Sequence, residues 1–567
     1  MTSADGQAAF GSDLLVTLLA HLGIEYVALN PGATFRGLHD SLVHVEGAPA
    51  VVTCLHEEIA VAAAHGYAKA AGHPMAAAVH DVVGLQHACM AVYNAWCDRV
   101  PLLLLGGTGP VAAERRRPWI DWIHTALVQG NHVRDFVKWD DQPASVAAAV
   151  ESIVRAHKLA TAAPRAPTYV CLPVEVQEEP TSALDLPDPA AYRPARTGPD
   201  PAAVEEAARH LRDARSPVIV LDRAADYVGA LERAAELAHI LGAPMIDLGA
   251  RMNVSTEDPL DLTGAESDVL GSADVVLAVE VLDLEGTLHE YTHPRPTRIH
   301  ISLADSLVGS WTSDYQRLAA VDIPIAADAG LALDALVEAC RGVPARVAAE
   351  RAERAFAVRA RLRTEWQRAT EAAWHASPIS LPRLADELWT ALSSRSWVLA
   401  HGTLDGWARR RWQWVAPGSY LGTSGGGGIG YGPGAAIGAA LAHRGDSRII
   451  VNLQPDGDLL FAPSALWTMA NLGLPILNVV WNNRSYYNSE LHARRIAKHR
   501  GRPQDRVQVG IGIRDPEVDF AGLARSYGVW AEGPVIDPRD LPAVLARAVD
   551  TVANGGPALI DVVAQPR

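Results

Sequence analysis

Residues 449–488 read IIVNLQPDGDLLFAPSALWTMANLGLPILNVVWNNRSYYN, and the fold follows from them. Ile449 to Leu453 is an apolar, β-branched run that predicts a buried strand, ending in a tight turn at Asp456-Gly457. Pro463 to Leu472 predicts a helix and Ile476 to Trp481 a second buried strand. A strand, crossover helix and parallel strand place both strand ends on one sheet edge, where open α/β sheets bind ligands. Asp456 and Asn483 are therefore expected side by side. One carboxylate, one amide oxygen and a loop carbonyl form a hard-oxygen set suited to Mg²⁺ that keeps water and ligand phosphates. Taken alone, DG and NN are also ordinary turn dipeptides.

The rest of the chain is compatible with several such sheets. At 567 residues it is too long for one core, and a domain per roughly 100–200 residues predicts three or four. A formal net charge of −16 argues against nucleic acid or an anionic membrane as partner. Cys54, Cys89, Cys97, Cys171 and Cys340 are scattered without a CxxC pair, which suits a reducing cytoplasm and gives no zinc framework. The segment MTSADGQAAFGSDLL lacks a basic and then apolar pattern, so no signal peptide is expected. No apolar run approaches roughly 18 residues, so no membrane span is expected.

Upstream, Ser12 to Leu22 predicts a helix capped by Ser12 and stopped by Gly23. Glu25–Leu29, Val51–Leu55, Met75–Val79, Leu102–Leu105 and Thr168–Leu172 predict strands alternating with helices, hence a doubly wound parallel sheet. Glu57 follows a strand at a helix start, where a solvated carboxylate favoured by the dipole is the plain alternative to a functional one. For His80 the plain alternative is a buried, hydrogen-bonded histidine. Gly106 to Gly109 lacks a following G-K-[ST] and reads as a loop, and Arg115 to Arg117 as solvated surface. Pro187 to Pro201 reads as a linker. Val218–Leu221, Met245–Leu248, Val275–Val279 and Arg298–Ser302 predict a second α/β domain. Ala345 to His375 predicts a charged helix whose Arg and Glu form a solvated face. Trp397–Ala400 predicts a strand, and TSGGGGIGYGPGAAIGAALA (423–442) a glycine run entering a helix. The domains expected are 1–185, 195–340 and 375–567.

Four segments, in chain order, resemble those of the thiamine-diphosphate-dependent enzyme superfamily of the acetolactate synthase, pyruvate decarboxylase and benzoylformate decarboxylase type. PDGD…NN resembles its GDG-x(n)-NN signature, with Pro455 in place of the first glycine. LHEEIAVAAAHGYAKAAGHP resembles its RHE segment, HDVVGLQHACMAVYNAWCDRVP its loop and helix before N-A-x-x-D-x-x-P, and GGIGYGPGAAIG its G-x-(M/L/I)-G segment, with Gly434 in place of a proline.

The resemblance implies pyrimidine-binding, central and diphosphate-binding domains, and a homodimer or homotetramer with active sites between subunits. It implies Asp456, Asn483 and Ser485 as Mg²⁺ ligands, and Gly457, Asp458 and Thr403 at the diphosphate. The Gly427 carbonyl would meet the 4′-amino group, Ile429 would wedge under the cofactor, and Tyr486 would lie beside it. Glu57 would drive the aminopyrimidine tautomer. In the benzoylformate decarboxylase branch a histidine opens the corresponding loop at the same distance from the NAW asparagine, which implies His80 as a proton relay. His87 replaces a usual Asn and Gln86 a Gly, both facing cofactor or substrate. Ala33 stands where that branch has a substrate-contacting Ser, and Tyr487 faces the substrate. No G-x-G-x-x-G follows a strand in the central domain, so FAD is not expected there. The activity implied is decarboxylation of a 2-oxo acid, joining of the acyl unit to a second carbonyl, or both. A C–C hydrolase acting on a diketone and a cofactor-binding pseudoenzyme are the alternatives.

Overall fold

In the computed structural model, which describes residues 9–181, 185–291, 294–306 and 318–566, buried aliphatic runs alternate with helices to build three large sheets, beside a two-stranded antiparallel pair of Ala9–Phe10 with Pro180–Thr181. Of the MTSADGQAAFGSDLL segment, residues 1–8 lie outside the described residues. The first large sheet comprises β1 (Tyr26–Leu29), β2 (Ala50–Thr53), β3 (Ala76–Val79), β4 (Leu102–Thr108), β5 (Asp140–Asp141) and β6 (Pro167–Pro173), in spatial order β2-β1-β3-β4-β6-β5. The second holds β7 (Pro217–Leu221), β8 (Met245–Asp247), β9 (Val275–Val279), β10 (Thr297–Ile301) and β11 (Ile323–Ile325), in order β8-β7-β9-β10-β11. The third holds β12 (Trp397–His401), β13 (Ile449–Pro455), β14 (Ile476–Asn482), β15 (Trp530–Val535) and β16 (Ala558–Val563), in order β12-β13-β14-β16-β15. Every pairing within these sheets is parallel. Helices cover both faces, so most strands are near-continuous apolar runs instead of alternating. Among the described residues no helix is long and apolar enough to cross a membrane.

Two helices join the first sheet to the third. α1 (Glu57–Ala71) follows β2, and α2 (Asp81–Cys97) follows β3. α3 (Ala345–Ala373) is a long connector, and α4 (Tyr431–Ala442) leaves the glycine run. The α1 and α4 backbones approach closely because their facing residues are Gly and Ala. A Cβ added to Gly438 would lie 1.9 Å from the Ala63 carbonyl oxygen, and one on Gly66 would lie 2.2 Å from that of Ala435. A Cβ on Gly434 would meet that of Ala62 at 2.6 Å, which gives that departure from proline a packing reason.

A buried carboxylate ties all three domains together. Asp98, just past α2, accepts from His65 Nε2 and Lys69 Nζ, both at 2.8 Å, and from Arg251 at 2.8 Å. Lys69 also donates to the Thr423 carbonyl at 2.7 Å. Burial pushes the Asp98 carboxyl up, but Arg251, Lys69 and His65 outweigh it and hold the group well below the usual range. Burial and the Arg251 charge bring Lys69 down to about 7.

Several local expectations are corrected. The first helix runs Gly11–His21 with Phe10 as its N-cap, while Ser12 is buried and accepts a hydrogen bond from Ser41. The glycines at 106 and 107 belong to β4, not a loop, because Tyr169 and Thr34 press where their side chains would stand. Pro455 ends β13, and Asp456–Leu459 forms a short helical turn, α5, in place of a tight turn. α3 is not a purely solvated face: Arg351 donates to the Leu241 carbonyl, and Arg359 and Arg363 reach those of Asp261 and Thr256. Arg117 is likewise paired, with Asp121.

The α1–α4 contact gives a stability prediction. Gly438→Ala should destabilise the protein by about 1–3 kcal/mol, the usual range for overpacking. Gly342→Ala, where nothing lies within 4 Å and φ is not left-handed, should leave the thermal midpoint unchanged. Equal midpoints for both variants would show that the helices separate without penalty.

Candidate functional site

The first half of the site lies where strand order reverses, between β1 and β3, the crevice in which doubly wound sheets bind ligands. The Asn30-Pro31-Gly32 turn leaves β1 and His80 leaves β3. They touch: a Cβ on Gly32 would lie 2.4 Å from that of His80. His80 is the N-cap of α2, so the segment expected as a loop is already helical from Asp81. His80 is half-buried, and its Nδ1 is hydrogen-bonded to Thr34 Oγ1 at 2.9 Å. Burial, with His124 nearby, lowers its pKa.

Glu57 is buried at the first turn of α1, and Gly84 on α2 leaves the space its carboxylate occupies: a Cβ there would lie 3.2 Å from Glu57 Oε1. His87 Nδ1 is 3.2 Å from Glu57 Oε2, and the His87 ring stacks on that of His56. Ala33 and Gln86 are exposed, Ala33 on the turn beside His80 and Gln86 on the outer side of α2.

The second half lies at the ends of β13 and β14. Their register pairs Pro455 with Trp481, which sets Asp456 beside the Asn482-Asn483 loop. Pro455 has φ −72°, the value its ring imposes, so the exchange of glycine for proline removes an N–H without straining the backbone. Gly457 lies under the Tyr486 ring, where a Cβ would come within 2.6 Å. Burial pushes the Asp456 carboxyl up to about 6, partly offset by the N–H groups of Gly457, Asn483 and Arg484, which face it without reaching hydrogen-bonding geometry. Asn482 is structural and donates to Asp561 at 3.0 Å. The Asn483 side-chain oxygen accepts from the Ser485 N–H at 3.0 Å, and the Ser485 carbonyl accepts from that of Tyr487 at 2.8 Å. A carbonyl oxygen retains a second lone pair for a cation. Thr403 Oγ1 caps its own turn by accepting from the Gly406 N–H.

A set of buried polar atoms on this edge has no hydrogen-bond partner: both Asp456 oxygens, Asp458 Oδ2, both side-chain atoms of Gln454, Asn452 Oδ1 and His401 Nδ1. Each unmet group costs about 1–3 kcal/mol. Their concentration at one sheet edge, with two carboxylates among them, fits a cation and a polar anionic ligand.

Within one chain the glycine run before α4 touches both α1 and α2. Gly428 N–H donates to Asn94 Oδ1 at 3.2 Å, so the glycine run lies along α2. Nothing stands within 4 Å of where a Cβ on Gly427 would be, and Ile429 is exposed beside it. Asp458 Oδ1 accepts the Gly430 N–H at 2.6 Å, and Glu58 Oε1 approaches Gly430 from α1.

Glu58, Asp98 and Glu490 were not singled out in the sequence. Burial, then the Asp458 charge, raises Glu58 to about 7. Glu490 organises the loop after β14 by accepting from Ser485 Oγ at 2.8 Å and from Arg494 and Gln508. The doublet Glu57-Glu58 at a helix start was the available signal, but it did not say which carboxyl is the more strongly perturbed.

Comparison with known proteins shows the family. Family models match in chain order: "Thiamine pyrophosphate enzyme, N-terminal TPP binding domain" over residues 10–131, the "central domain" over 204–336 and the "C-terminal TPP binding domain" over 400–562. The chain belongs to the thiamine-diphosphate enzyme superfamily. It is 26% identical to benzoylformate decarboxylase of Pseudomonas aeruginosa, over 84% of this chain and 85% of that protein. It is 24% identical to the "Probable acetolactate synthase large subunit" of Methanocaldococcus jannaschii, over 98% and 92%. Among solved structures, benzoylformate decarboxylase of Polynucleobacter necessarius superposes with TM-score 0.77 at 19% identity, over 98% of this chain and 99% of that one. The thiamine diphosphate-dependent 4-hydroxybenzoylformate decarboxylase of Rhodococcus jostii superposes with 0.76 at 20%, over 99% and 100%. At these identities the superpositions speak for the fold.

The Glu58 environment yields a pH-dependent stability. Its folded pKa, about 7, exceeds its ordinary 4.5, so the folded state holds a proton that the unfolded chain has released. Its contribution is fully present below pH 4.5 and lost as pH rises to 7. Relative to wild type, Glu58→Gln should gain stability across that interval, reaching about 3 kcal/mol at most. Urea unfolding at several pH values measures the gain, and a pH-independent difference would contradict it.

Proposed function

We propose that this chain is a Mg²⁺- and thiamine-diphosphate-dependent enzyme that decarboxylates a 2-oxo acid and releases the acyl unit protonated or passes it to a second carbonyl. Two observations carry this reading: a buried carboxylate and a half-buried imidazole at the β1/β3 crevice, and an edge of unpartnered buried oxygens at the ends of β13 and β14. Asp456 would be the principal metal ligand, joined by the Asn483 side-chain oxygen and the Ser485 carbonyl, and Gly457, Asp458 and Thr403 would hold the diphosphate. Gly427 and Ile429 hold the ring system, and Tyr486 packs over Gly457 at its edge. When bound, the cofactor stabilises the charge that develops on the carbonyl carbon as CO₂ leaves.

Glu57 would hold the proton shared with N1′ of a bound aminopyrimidine, and the neighbouring His87 orients its carboxylate. His80, fixed at Nδ1 by Thr34, takes or delivers a proton on the substrate side. Ala33 leaves that side small and apolar, while Gln86 and Tyr487 border the approach. The protonating histidine favours decarboxylation over pure carboligation. A homo-oligomer belongs to the same reading: Trp119, Trp122, Ile123 and Leu127 leave apolar surface uncovered on the single chain.

The test is incubation of the Mg²⁺- and thiamine-diphosphate-loaded protein with a panel of 2-oxo acids, with and without an aldehyde acceptor, following CO₂ and acyloin. CO₂ release from none of them would refute the proposal. Asp456→Ala should lose cofactor binding in calorimetry, and unchanged affinity would remove the metal assignment. His80→Ala should slow turnover by about 10²–10⁴-fold, the range for a lost acid–base group. Its cofactor affinity should stay unchanged, since the diphosphate contacts lie on the third sheet. Normal turnover with a lowered melting point would make His80 a structural histidine.

A further inference from the structure

The crevice beside His80 holds a second donor set that the proposed reaction does not use. Asp81 is completely buried; its Oδ2 has no hydrogen-bond partner, and its Oδ1 receives only a long contact of 3.4 Å from the Val83 N–H. His124 arrives on the short helix Ile120–His124, and its Nδ1 is also buried without a partner. Donor atoms of His80, Asp81 and His124 all lie within 4.8 Å of one another. The His80 and His124 rings meet edge to face, with centroids 5.4 Å apart. Thr34 holds His80 at Nδ1, which leaves Nε2, 3.8 Å from Asp81 Oδ1, open toward the set. An imidazole fixed at one nitrogen and free at the other is how ligating histidines are oriented.

The surrounding charge favours a cation. Arg117 is the cation facing His80, and its guanidinium is paired with the Asp121 carboxylate. Glu57 faces His80 and Asp121 faces Asp81, each adding negative potential. A buried carboxylate without a partner is costly, and a metal ion would satisfy it.

We propose that His80, Asp81 and His124 form a binding site for a divalent transition-metal ion of the Zn²⁺ class, separate from the Mg²⁺ position on the third sheet. Two imidazole nitrogens and one carboxylate oxygen suit Zn²⁺ and leave a coordination position for water. The same set is poor for Mg²⁺, which prefers oxygen ligands. The donors need to draw in to about 3.3 Å, the spacing that bonds of about 2.0–2.1 Å impose in a tetrahedron. Occupation takes the free nitrogen of His80, so the metal would inhibit turnover reversibly. That consequence rests on the proton-relay reading of His80; the metal site does not.

The test uses full-length protein loaded with Mg²⁺ and thiamine diphosphate. Calorimetric titration with Zn²⁺ should find a site with one ion per chain, and Co²⁺ should give visible d–d bands. His124→Asn should weaken Zn²⁺ binding at least about tenfold and abolish the bands. Asp81→Asn, which removes a buried charge and so avoids a folding defect, should do the same. His87→Asn, which disrupts the His56, Glu57 and His87 group, should leave both signals intact. Zn²⁺ should also raise the melting temperature of wild type but not of His124→Asn. No Zn²⁺ binding by wild type, or unchanged affinity in both His124→Asn and Asp81→Asn, would overturn the site. Binding without inhibition would uphold the site and refute the relay role of His80.

Discussion

Close packing of glycine and alanine between α1 and α4 is the constraint on which the candidate site depends. Glu57 and Glu58 start one helix, and Ile429 and Gly430 lead into the other. With side chains at Gly66, Gly434 or Gly438 the two backbones could not approach as they do. The contact is nearly featureless chemically, and its tolerance for error is small because backbone, not a flexible side chain, stands opposite. Asp98 then fixes the far end of the same assembly, where Arg251 of the central domain and Lys69 of α1 share one buried carboxylate. Removing one partner of such a group leaves an uncompensated charge in the interior, which is far more damaging than its net contribution suggests.

The two halves of the site handle their buried polar groups in different ways. Around Asp98 every charge has an opposite within hydrogen-bonding distance, and the carboxyl is held ionised. Both Asp456 oxygens, Asp458 Oδ2 and the Gln454 side-chain amide lack partners, and burial raises Asp456. The first pattern stabilises a junction; the second is what a cavity for a cation and its anionic ligand requires. A chain with a net charge of −16 can still take an anion here, because bound metal would reverse the local sign.

Departures from the family pattern become intelligible in this setting. Pro455 occupies a position whose backbone already has the φ of proline. Gly434 faces the Ala62 methyl group, where no larger residue fits. The arginines of α3, which periodicity alone assigns to solvent, bind carbonyl groups at the ends of central-domain elements. Helical spacing marks which residues share a face and leaves open what that face meets.

Much of the architecture was legible in the sequence because it rests on local regularities. Apolar runs separated by helical segments imply parallel sheets, and strand–helix–strand connectivity alone puts Asp456 and Asn483 on one edge. The Glu57, His80 and glycine-run segments could be located from their motifs for the same reason: each is a short, contiguous pattern. What the sequence could not decide are contacts between segments far apart in the chain. His124 meets His80 and Asp81 only when the first domain folds, and Glu58 beside Gly430 and Asp458, and Arg251 on Asp98, arise only when the domains dock. Their desolvation and charge environment depend on that docking, so the perturbed acidity of Glu58 and the open coordination of Asp81 belong to the tertiary structure alone.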